Sequence, residues 1–234
     1  MPTLGVIIAA YLLGSVSFAV VVSRLFGLPD PHSYGSGNPG ATNVLRTGNK
    51  LAAALTLLGD GIKGFVAVWA ANRLGASWGD ASLATAGAAL AVYLGHLYPV
   101  FHHFAGGKGV STAAGIAFAL SWQLGLALAV IWLLVVLAFR MSSLASLVAA
   151  AATPPLGFYF LGFWPESWVL VPIALLMFWR HRVNIRKLIA GEERRIGEKS
   201  ALKRGRVLRP LQPLARNPGR ARLESSHRGR TPKA

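Results

Sequence analysis

The 234-residue sequence contains no cysteine and few acidic residues. The absence of cysteine excludes disulfides and thiolate metal sites, and it leaves the redox compartment unconstrained. Only 8 Asp and Glu residues stand against 24 Lys and Arg residues, so the formal net charge is +16. The class of protein must therefore be inferred from the apolar and basic segments.

Charged residues are scarce over the first 179 positions, whereas 53% of the whole chain is hydrophobic and the mean hydropathy is +0.48. These values are typical of an integral membrane protein. The apolar runs predict an all-α, polytopic fold with about seven transmembrane or half-membrane helices. The runs are Leu4–Val22, Leu51–Ala71, Ser82–Phe101, Val110–Leu120, Leu124–Phe139, Leu144–Phe163 and Trp168–Trp179.

The fourth and fifth runs are shorter than the ~20 residues that a perpendicular span needs. Helices of that length are typical of segments that line a polar cavity. Nothing basic precedes the first run, and Gly14, Ser15 and Ser17 interrupt it. We therefore interpret the first run as a retained span rather than a signal peptide.

The basic residues concentrate towards the carboxyl end of the chain. We predict a membrane-embedded domain over residues 1–198 and a basic, disordered tail over residues 199–234. The positive-inside rule puts the tail in the cytoplasm, and an odd number of spans then puts the N-terminus outside. The loops after the first, third and fifth runs share the cytoplasmic side. These loops carry Arg24, Arg46, Lys50, Lys108 and Arg140.

Two glycine-rich loops lie on this predicted side. The first, GSGNPGATNVLR, runs from Gly35 to Arg46. Its glycines allow close approach of the backbone to an anion, its polar side chains add donors, and Arg46 offers a bidentate guanidinium. The second, GGKGVS, begins at Gly106 and precedes an apolar run, whose helix N-terminus would attract an anion. A structural role in turns is the alternative for both loops.

Three motifs resemble those of the bacterial PlsY-type acyl-phosphate:glycerol-3-phosphate acyltransferases. They are GSGNPGATNVLR at Gly35–Arg46, GHLYPVFHHFAGGKGVSTAAG at Gly95–Gly115, and RHRVNIRKLIAGEE at Arg180–Glu193. Shorter matches lie in the first run, at Asp60–Gly64 and at Ser143–Ser146. The resemblance extends over about residues 4–197.

The resemblance implies transfer of a fatty acyl group from an acyl phosphate to the 1-hydroxyl of glycerol 3-phosphate. The products are lysophosphatidic acid and inorganic phosphate, in phospholipid biosynthesis at the bacterial inner membrane. It implies no metal or organic cofactor. The sequence is compatible with this chemistry, because an acyl phosphate has a good leaving group and the site must mainly neutralise phosphates and align the hydroxyl.

The resemblance also implies roles for individual residues. Ser36, Asn38, Asn43 and Arg46 bind one phosphate, with Gly37, Gly40 and Thr42 in the same loop, and Lys108 with Gly106, Gly107 and Gly109 binds the other. Ser143 contacts substrate, and His181, Asn184 and Glu192 orient the attacking hydroxyl. We expect Ser36, Arg46, Lys108, His181 and Asn184 to be catalytic. The proton acceptor is either His181 or a substrate phosphate oxygen.

Other interpretations compete with this one. A transporter for a phosphorylated anionic solute would also use broken helices and anion-binding loops, but its site should lie near the bilayer midplane. Nucleotide binding is disfavoured, because glycine follows Lys108 where a Walker A loop has Ser or Thr. No His-x-x-x-x-Asp sequence of another lipid acyltransferase class is present.

Several polar residues have structural alternatives. Asp60 and Lys63, inside an apolar run, form either a structural ion pair or part of a polar cavity. His96, His102 and His103 are interpreted as interface histidines rather than metal ligands. The basic tail favours a position near anionic lipid, and nucleic acid is not an expected partner.

Overall fold

The computed structural model describes residues 2–197, and the tail predicted for residues 199–234 lies outside this range. The regular secondary structure of residues 2–197 is entirely helical, which confirms the all-α prediction. Two 3-10 turns, Leu45–Thr47 and Val100–His102, accompany the α-helices. The α-helices are α1 (Pro2–Gly14), α2 (Phe18–Leu25), α3 (Ala41–Val44), α4 (Lys50–Ser77), α5 (Ala81–Leu97), α6 (Val110–Leu120), α7 (Trp122–Phe139), α8 (Ser142–Leu161), α9 (Pro165–Trp168), α10 (Leu170–Arg180) and α11 (Arg182–Ile189).

Each of the seven predicted apolar runs is helical, but fewer than seven are long enough to cross a bilayer. Within residues 2–197, four helices meet that criterion, namely α4, α7, α8 and α5 with its following 3-10 turn. The pair α1 and α2 meets it jointly, with a bend of 43° at the break. Helices α6 and α10 have 11 residues each. Seven crossings and the orientation of the termini therefore stay predictions.

The break between α1 and α2 falls at the polar residues that interrupt the first apolar run. Ser15 and Ser17 are buried, and the Ser15 hydroxyl donates to the carbonyl of Tyr11 at 2.9 Å. The carbonyl of Val16, inside the break, accepts a hydrogen bond of 2.7 Å from the amine of Lys63. The break thus supplies a backbone acceptor in the interior of the bundle, where polar groups need partners.

Helix α4 is the central element, since it packs against α1, α2, α5 and α6. A Cβ added at Gly115 of α6 would collide with the backbone of Gly61 in α4, and one at Gly14 would collide with the backbone of Val92 in α5. Small residues at such crossings let membrane helices approach closely. The outer face of α7 instead exposes apolar side chains to the surroundings, namely Leu126, Val130, Leu133, Leu134 and Leu137.

The two ends of the helical bundle differ in their polar contacts. At one end Thr3 donates to Asp80 at 2.8 Å, and Ser82 donates to Glu166 at 2.7 Å. At the other end the two glycine-rich loops meet, since a Cβ added at Gly107 would lie 2.9 Å from the carbonyl oxygen of Pro39. Just before the two loops, Nε2 of His32 lies 2.9 Å from the carbonyl oxygen of Ala105. The two predicted anion-binding loops therefore share one end of the bundle.

Candidate functional site

The loop Gly35–Arg46 is shaped by the side chain of Asn43. The Oδ1 atom of Asn43 accepts from the backbone N–H of Ser36 at 3.0 Å and from its hydroxyl at 3.3 Å. Its Nδ2 donates to the carbonyls of Pro31 at 2.8 Å and Tyr34 at 3.1 Å. These bonds use both donors and the acceptor of a buried amide. Asn43 consequently organises the loop from within.

The other predicted residues of this loop face outwards to differing degrees. Ser36, Gly37, Thr42 and Arg46 are exposed, while Asn38 and Gly40 are half-buried. Gly35 and Gly37 have φ angles of 63° and 65°, in the left-handed region that glycine adopts most readily. The loop therefore presents exposed polar groups on a backbone that Asn43 holds in shape.

The second loop is fixed by Arg180 at the end of α10. Its Nε donates to the carbonyl of Gly107 at 3.0 Å, and an amino group donates to that of Gly106 at 2.5 Å. The backbone N–H of Gly107 donates to the carbonyl of His96 at 3.1 Å. Gly109 has a φ of 80° and is the N-cap residue of α6, which begins at Val110. These hydrogen bonds and the conformation of Gly109 thus fix the backbone conformation on both sides of Lys108.

Lys108 begins a chain of hydrogen bonds through three other elements. Its amine donates to Oδ1 of Asn184 in α11, and the Nδ2 of Asn184 donates to Oε1 of Glu193 at 2.7 Å. The same carboxylate oxygen accepts from the hydroxyl of Ser143, near the start of α8, at 2.6 Å. The sequence prediction named Glu192, which is exposed. The neighbouring Glu193 is the carboxylate in contact with this cluster.

His181 lies between α10 and α11 and is 2% exposed. Its Nδ1 lies 2.8 Å from the carbonyl oxygen of Met177. Because a carbonyl only accepts, Nδ1 carries the proton and Nε2 carries the lone pair in the neutral ring. Burial, with a contribution from the positive charge of Lys108, lowers the pKa of His181 to about 4. His181 is therefore neutral at physiological pH.

The electrostatic field of the site is positive. Burial lowers the pKa of Lys108 to about 8; Glu193 opposes the shift, whereas Arg180, Arg46 and Lys187 add to it. Burial and the charge of Arg194 also lower the pKa of Arg46. Several cations thus act on one another around one carboxylate, and a phosphate dianion would relieve their repulsion.

The remaining candidates lie apart from this cluster. Asp60 and Lys63 form a buried ion pair of 2.8 Å between Oδ1 and Nζ, as the structural alternative predicts. His96 is also buried, beneath the second loop. His102 is half-buried and His103 is exposed, beside the point where the two loops meet.

Arg180 and Glu193 are the two residues that the sequence prediction missed. Arg180 stands among three basic residues near the end of an apolar run, and Glu193 is the second of two adjacent glutamates. Helical spacing from Asn184 offered no means of choosing between the glutamates, because both follow α11 in a loop. Each residue could have been noticed only as a member of the third motif.

The fold and its polar end define an integral membrane acyltransferase. The chain superimposes with a TM-score of 0.78 on a crystal structure of PlsY, described as an integral membrane glycerol 3-phosphate acyltransferase in its glycerol 3-phosphate form. The sequences are 38% identical, and the match covers 87% of this chain and 98% of that one. The lysophosphatidic acid form matches with a TM-score of 0.75 and 39% identity, over 83% and 95% of the two chains.

The family model described as glycerol-3-phosphate acyltransferase matches residues 4–191, and the chain belongs to this family. Among curated relatives, the glycerol-3-phosphate acyltransferase of Cupriavidus taiwanensis is 60% identical over 192 residues, or 82% of this chain and 95% of that protein. The enzyme of the same name from Burkholderia pseudomallei is 58% identical over 194 residues, or 82% and 94% of the two chains. The resemblance found in the motifs is confirmed.

Proposed function

We propose that the protein transfers a fatty acyl group from an acyl phosphate to the 1-hydroxyl of glycerol 3-phosphate. The products are lysophosphatidic acid and inorganic phosphate. The observation that carries this proposal is the hydrogen-bonded chain from Lys108 through Asn184 to Glu193 and Ser143. This chain joins the second glycine loop to the third motif, at the end of the bundle where the first loop also lies.

The two phosphates are assigned to the two loops. Ser36, Asn38 and Arg46 bind one phosphate, with Gly37, Gly40 and Thr42 shaping its cradle and Asn43 holding the cradle in shape. Lys108 binds the other phosphate together with the backbone of Gly106, Gly107 and Gly109 and the N-terminus of α6. The exposure of Ser36 and Arg46 and the positive field around Lys108 support this assignment.

In the transfer step the hydroxyl oxygen attacks the acyl carbonyl carbon, and the bond from that carbon to the bridging phosphate oxygen breaks. The phosphate departs as inorganic phosphate. Lys108 stabilises its charge, while Asn184 and His181 orient the hydroxyl. No covalent enzyme intermediate is needed, because acyl phosphates are activated mixed anhydrides.

The proton of the hydroxyl goes to an oxygen of the departing phosphate. Nε2 of His181 is suited to accept a hydrogen bond from the hydroxyl, since Nδ1 donates to Met177. A pKa of about 4 nevertheless makes His181 a weak base, and a phosphate oxygen holds a proton better near neutral pH, since even a phosphate monoester has a second pKa of about 6. His181 therefore orients the nucleophile, and the substrate takes its proton.

The site opens towards the cytoplasm, in a seven-crossing arrangement of the inner membrane with the N-terminus outside. Arg46, Lys108 and Arg140 belong to loops at the site end, while Asp80 and Glu166 mark the opposite end. This asymmetry supports the positive-inside orientation. Anionic lipid beside the tail is a further expectation, which concerns residues outside those described.

The orientation can be tested without removing native cysteines, because the chain has none. Lys50→Cys and Ser77→Cys place single thiols at the two ends of α4. In spheroplasts, a membrane-impermeant maleimide should label Ser77→Cys and leave Lys50→Cys unlabelled until the membrane is opened. The reverse pattern would overturn the proposed orientation.

Activity is tested with purified protein, palmitoyl phosphate and glycerol 3-phosphate, while phosphate and lysophosphatidic acid are measured. Palmitoyl-CoA serves as the alternative donor. We expect product only from palmitoyl phosphate and loss of product in Lys108→Ala and Arg46→Ala. No product from any donor in folded protein would favour the transporter, although residues at helix ends are poorly suited to a site at the bilayer midplane.

A further inference from the structure

Beneath the second glycine loop, a set of buried polar side chains joins three helices. Asp60 and Lys63 of α4 form the ion pair of 2.8 Å. Nδ1 of His96 in α5 lies 3.6 Å from Oδ1 of Asp60 and 3.2 Å from the hydroxyl of Thr112 in α6. Each of these residues is at most 8% exposed. We refer to Asp60, Lys63, His96 and Thr112 as the buried polar cluster.

The position of this cluster is costly for a structural role alone. Ionised groups within membrane helices are expensive and are kept where function or pairing demands them. A buried ion pair, in addition, is often no more stable than apolar residues of similar volume. Lys63 also donates a hydrogen bond of 2.7 Å to a group outside the cluster, the carbonyl of Val16. The arrangement consequently requires an explanation beyond simple packing.

The cluster touches the glycine loop before Lys108. The carbonyl of His96 accepts the N–H of Gly107 at 3.1 Å. A Cβ added at Gly107 would collide with Nε2 of His96, so the imidazole ring lies directly against the loop backbone. The same residue thus supports the loop through both its main chain and its ring.

The cluster also holds the chain after Lys108. Thr112 lies in the first turn of α6 and is fully buried. Its hydroxyl donates to the carbonyl of Asp60 at 3.0 Å. The start of α6 is thereby fastened to α4 at the residue that forms the ion pair. Lys108 stands between the two attachments, four residues before Thr112.

We propose that the buried polar cluster consists of positioning residues, namely Asp60, Lys63, His96 and Thr112. They hold the Gly106–Gly109 loop and the start of α6 in a fixed position for phosphate binding. The proposal rests on the proposed function of that loop. The ion pair keeps Asp60 in place. His96 then supports the backbone before Lys108, and Thr112 fastens the backbone after it. No member of the cluster touches substrate.

Two buried threonines provide a matched test. Thr112 donates between helices, to Asp60, whereas Thr56 donates within its own helix, to the carbonyl of Ala52 at 2.8 Å. Both are fully buried. Thr112→Val and Thr56→Val remove the same hydroxyl at nearly constant volume, and Thr112→Ser retains it. The three variants thus separate the contact to Asp60 from the general effect of losing a buried hydroxyl.

The first measurement is the inhibition constant of inorganic phosphate, with kcat and KM for palmitoyl phosphate. Loss of one buried hydrogen bond should raise the inhibition constant and KM by about tenfold in Thr112→Val, with kcat changed by less than about threefold. Thr56→Val and Thr112→Ser should match the parent. Equal constants in Thr112→Val and Thr56→Val would overturn the proposal.

The second measurement does not depend on activity. Hydrogen exchange over residues 105–112 reports the N–H of Gly107, which should exchange faster in Thr112→Val and in the paired variant Asp60→Asn/Lys63→Met than in Thr56→Val. Unchanged exchange in the folded paired variant would overturn the proposal. An inactive parent protein would contradict the proposed function alone, since the exchange result would still test the positioning.

Discussion

Nδ1 of His181 lies 2.8 Å from the carbonyl oxygen of Met177, one helical turn earlier in the chain. This bond determines which nitrogen of the ring is available. With the proton on Nδ1, the lone pair of Nε2 can accept a hydrogen bond from a substrate hydroxyl.

Replacing His181 by alanine should lower kcat by about 10²-fold, because the attacking hydroxyl loses the group that aligns it with the acyl carbonyl carbon. KM should change much less, because the imidazole is assigned to the hydroxyl and not to a phosphate. Steady-state kinetics on the purified variant check this, with His103→Ala, an exposed histidine, as the control. Near-normal turnover by His181→Ala would remove His181 from the chemistry.

The pH dependence should reveal Lys108. Its pKa, lowered to about 8, means that the amine of the free enzyme loses its charge as the pH rises through that value. The rate constant kcat/KM should therefore fall above about pH 8. In Lys108→Arg the guanidinium stays charged, so the alkaline limb should disappear even if the rate is lower throughout. An unchanged limb in Lys108→Arg would assign it to another group.

The adjacent glutamates offer a matched pair. Glu193 accepts from Asn184 and Ser143, whereas Glu192 is exposed. Glu193→Gln removes the negative charge that aligns both donors and should lower kcat/KM by about tenfold, as expected for charge-assisted hydrogen bonds. Glu192→Gln should leave it within about twofold. Equal losses in both variants would contradict the role given to Glu193.

Arg180 and Arg182 form a second matched pair. Arg180 donates to two carbonyls of the glycine loop, whereas Arg182 is exposed, with its guanidinium carbon 5.0 Å from the ring centroid of Trp179. Arg180→Ala should raise the inhibition constant of inorganic phosphate by about tenfold, because two loop carbonyls lose their donor. Arg182→Ala should have little effect. A parent-like constant in Arg180→Ala would show that the loop keeps its course without this residue.

The sequence predicted the helices well because apolar runs in a membrane protein have few alternatives to helix. The break in the first run occurs where Gly14, Ser15 and Ser17 interrupt it. The number of crossings was harder to predict, because α6 and α10 are short and their course depends on neighbouring helices. Length and hydropathy carry no information on that packing.

The sequence predicted that two loops and a helix form the site at one end of the bundle. It did not predict which residues of the site hydrogen-bond to one another. The amide of Asn43 could donate a hydrogen bond to a phosphate, yet its hydrogen-bonding groups are all used by Ser36 of the loop and by Pro31 and Tyr34 just before it. Arg180 holds a backbone that is distant in sequence. These hydrogen-bond partners are determined only when the fold brings the segments together, so the sequence alone does not identify them.

The ion pair of Asp60 and Lys63 has a consequence for how the chain enters the membrane. Each ionised residue at the centre of a helix adds about 2.5–3.5 kcal/mol to the cost of insertion. Both partners lie in α4, three residues apart, so each can meet the other's charge before α5 and α6 have been synthesised. Val16, the third partner, precedes them in the chain. The chain can therefore insert from the N-terminus onwards, because Asp60 and Lys63 do not depend on a later helix for a partner of opposite charge.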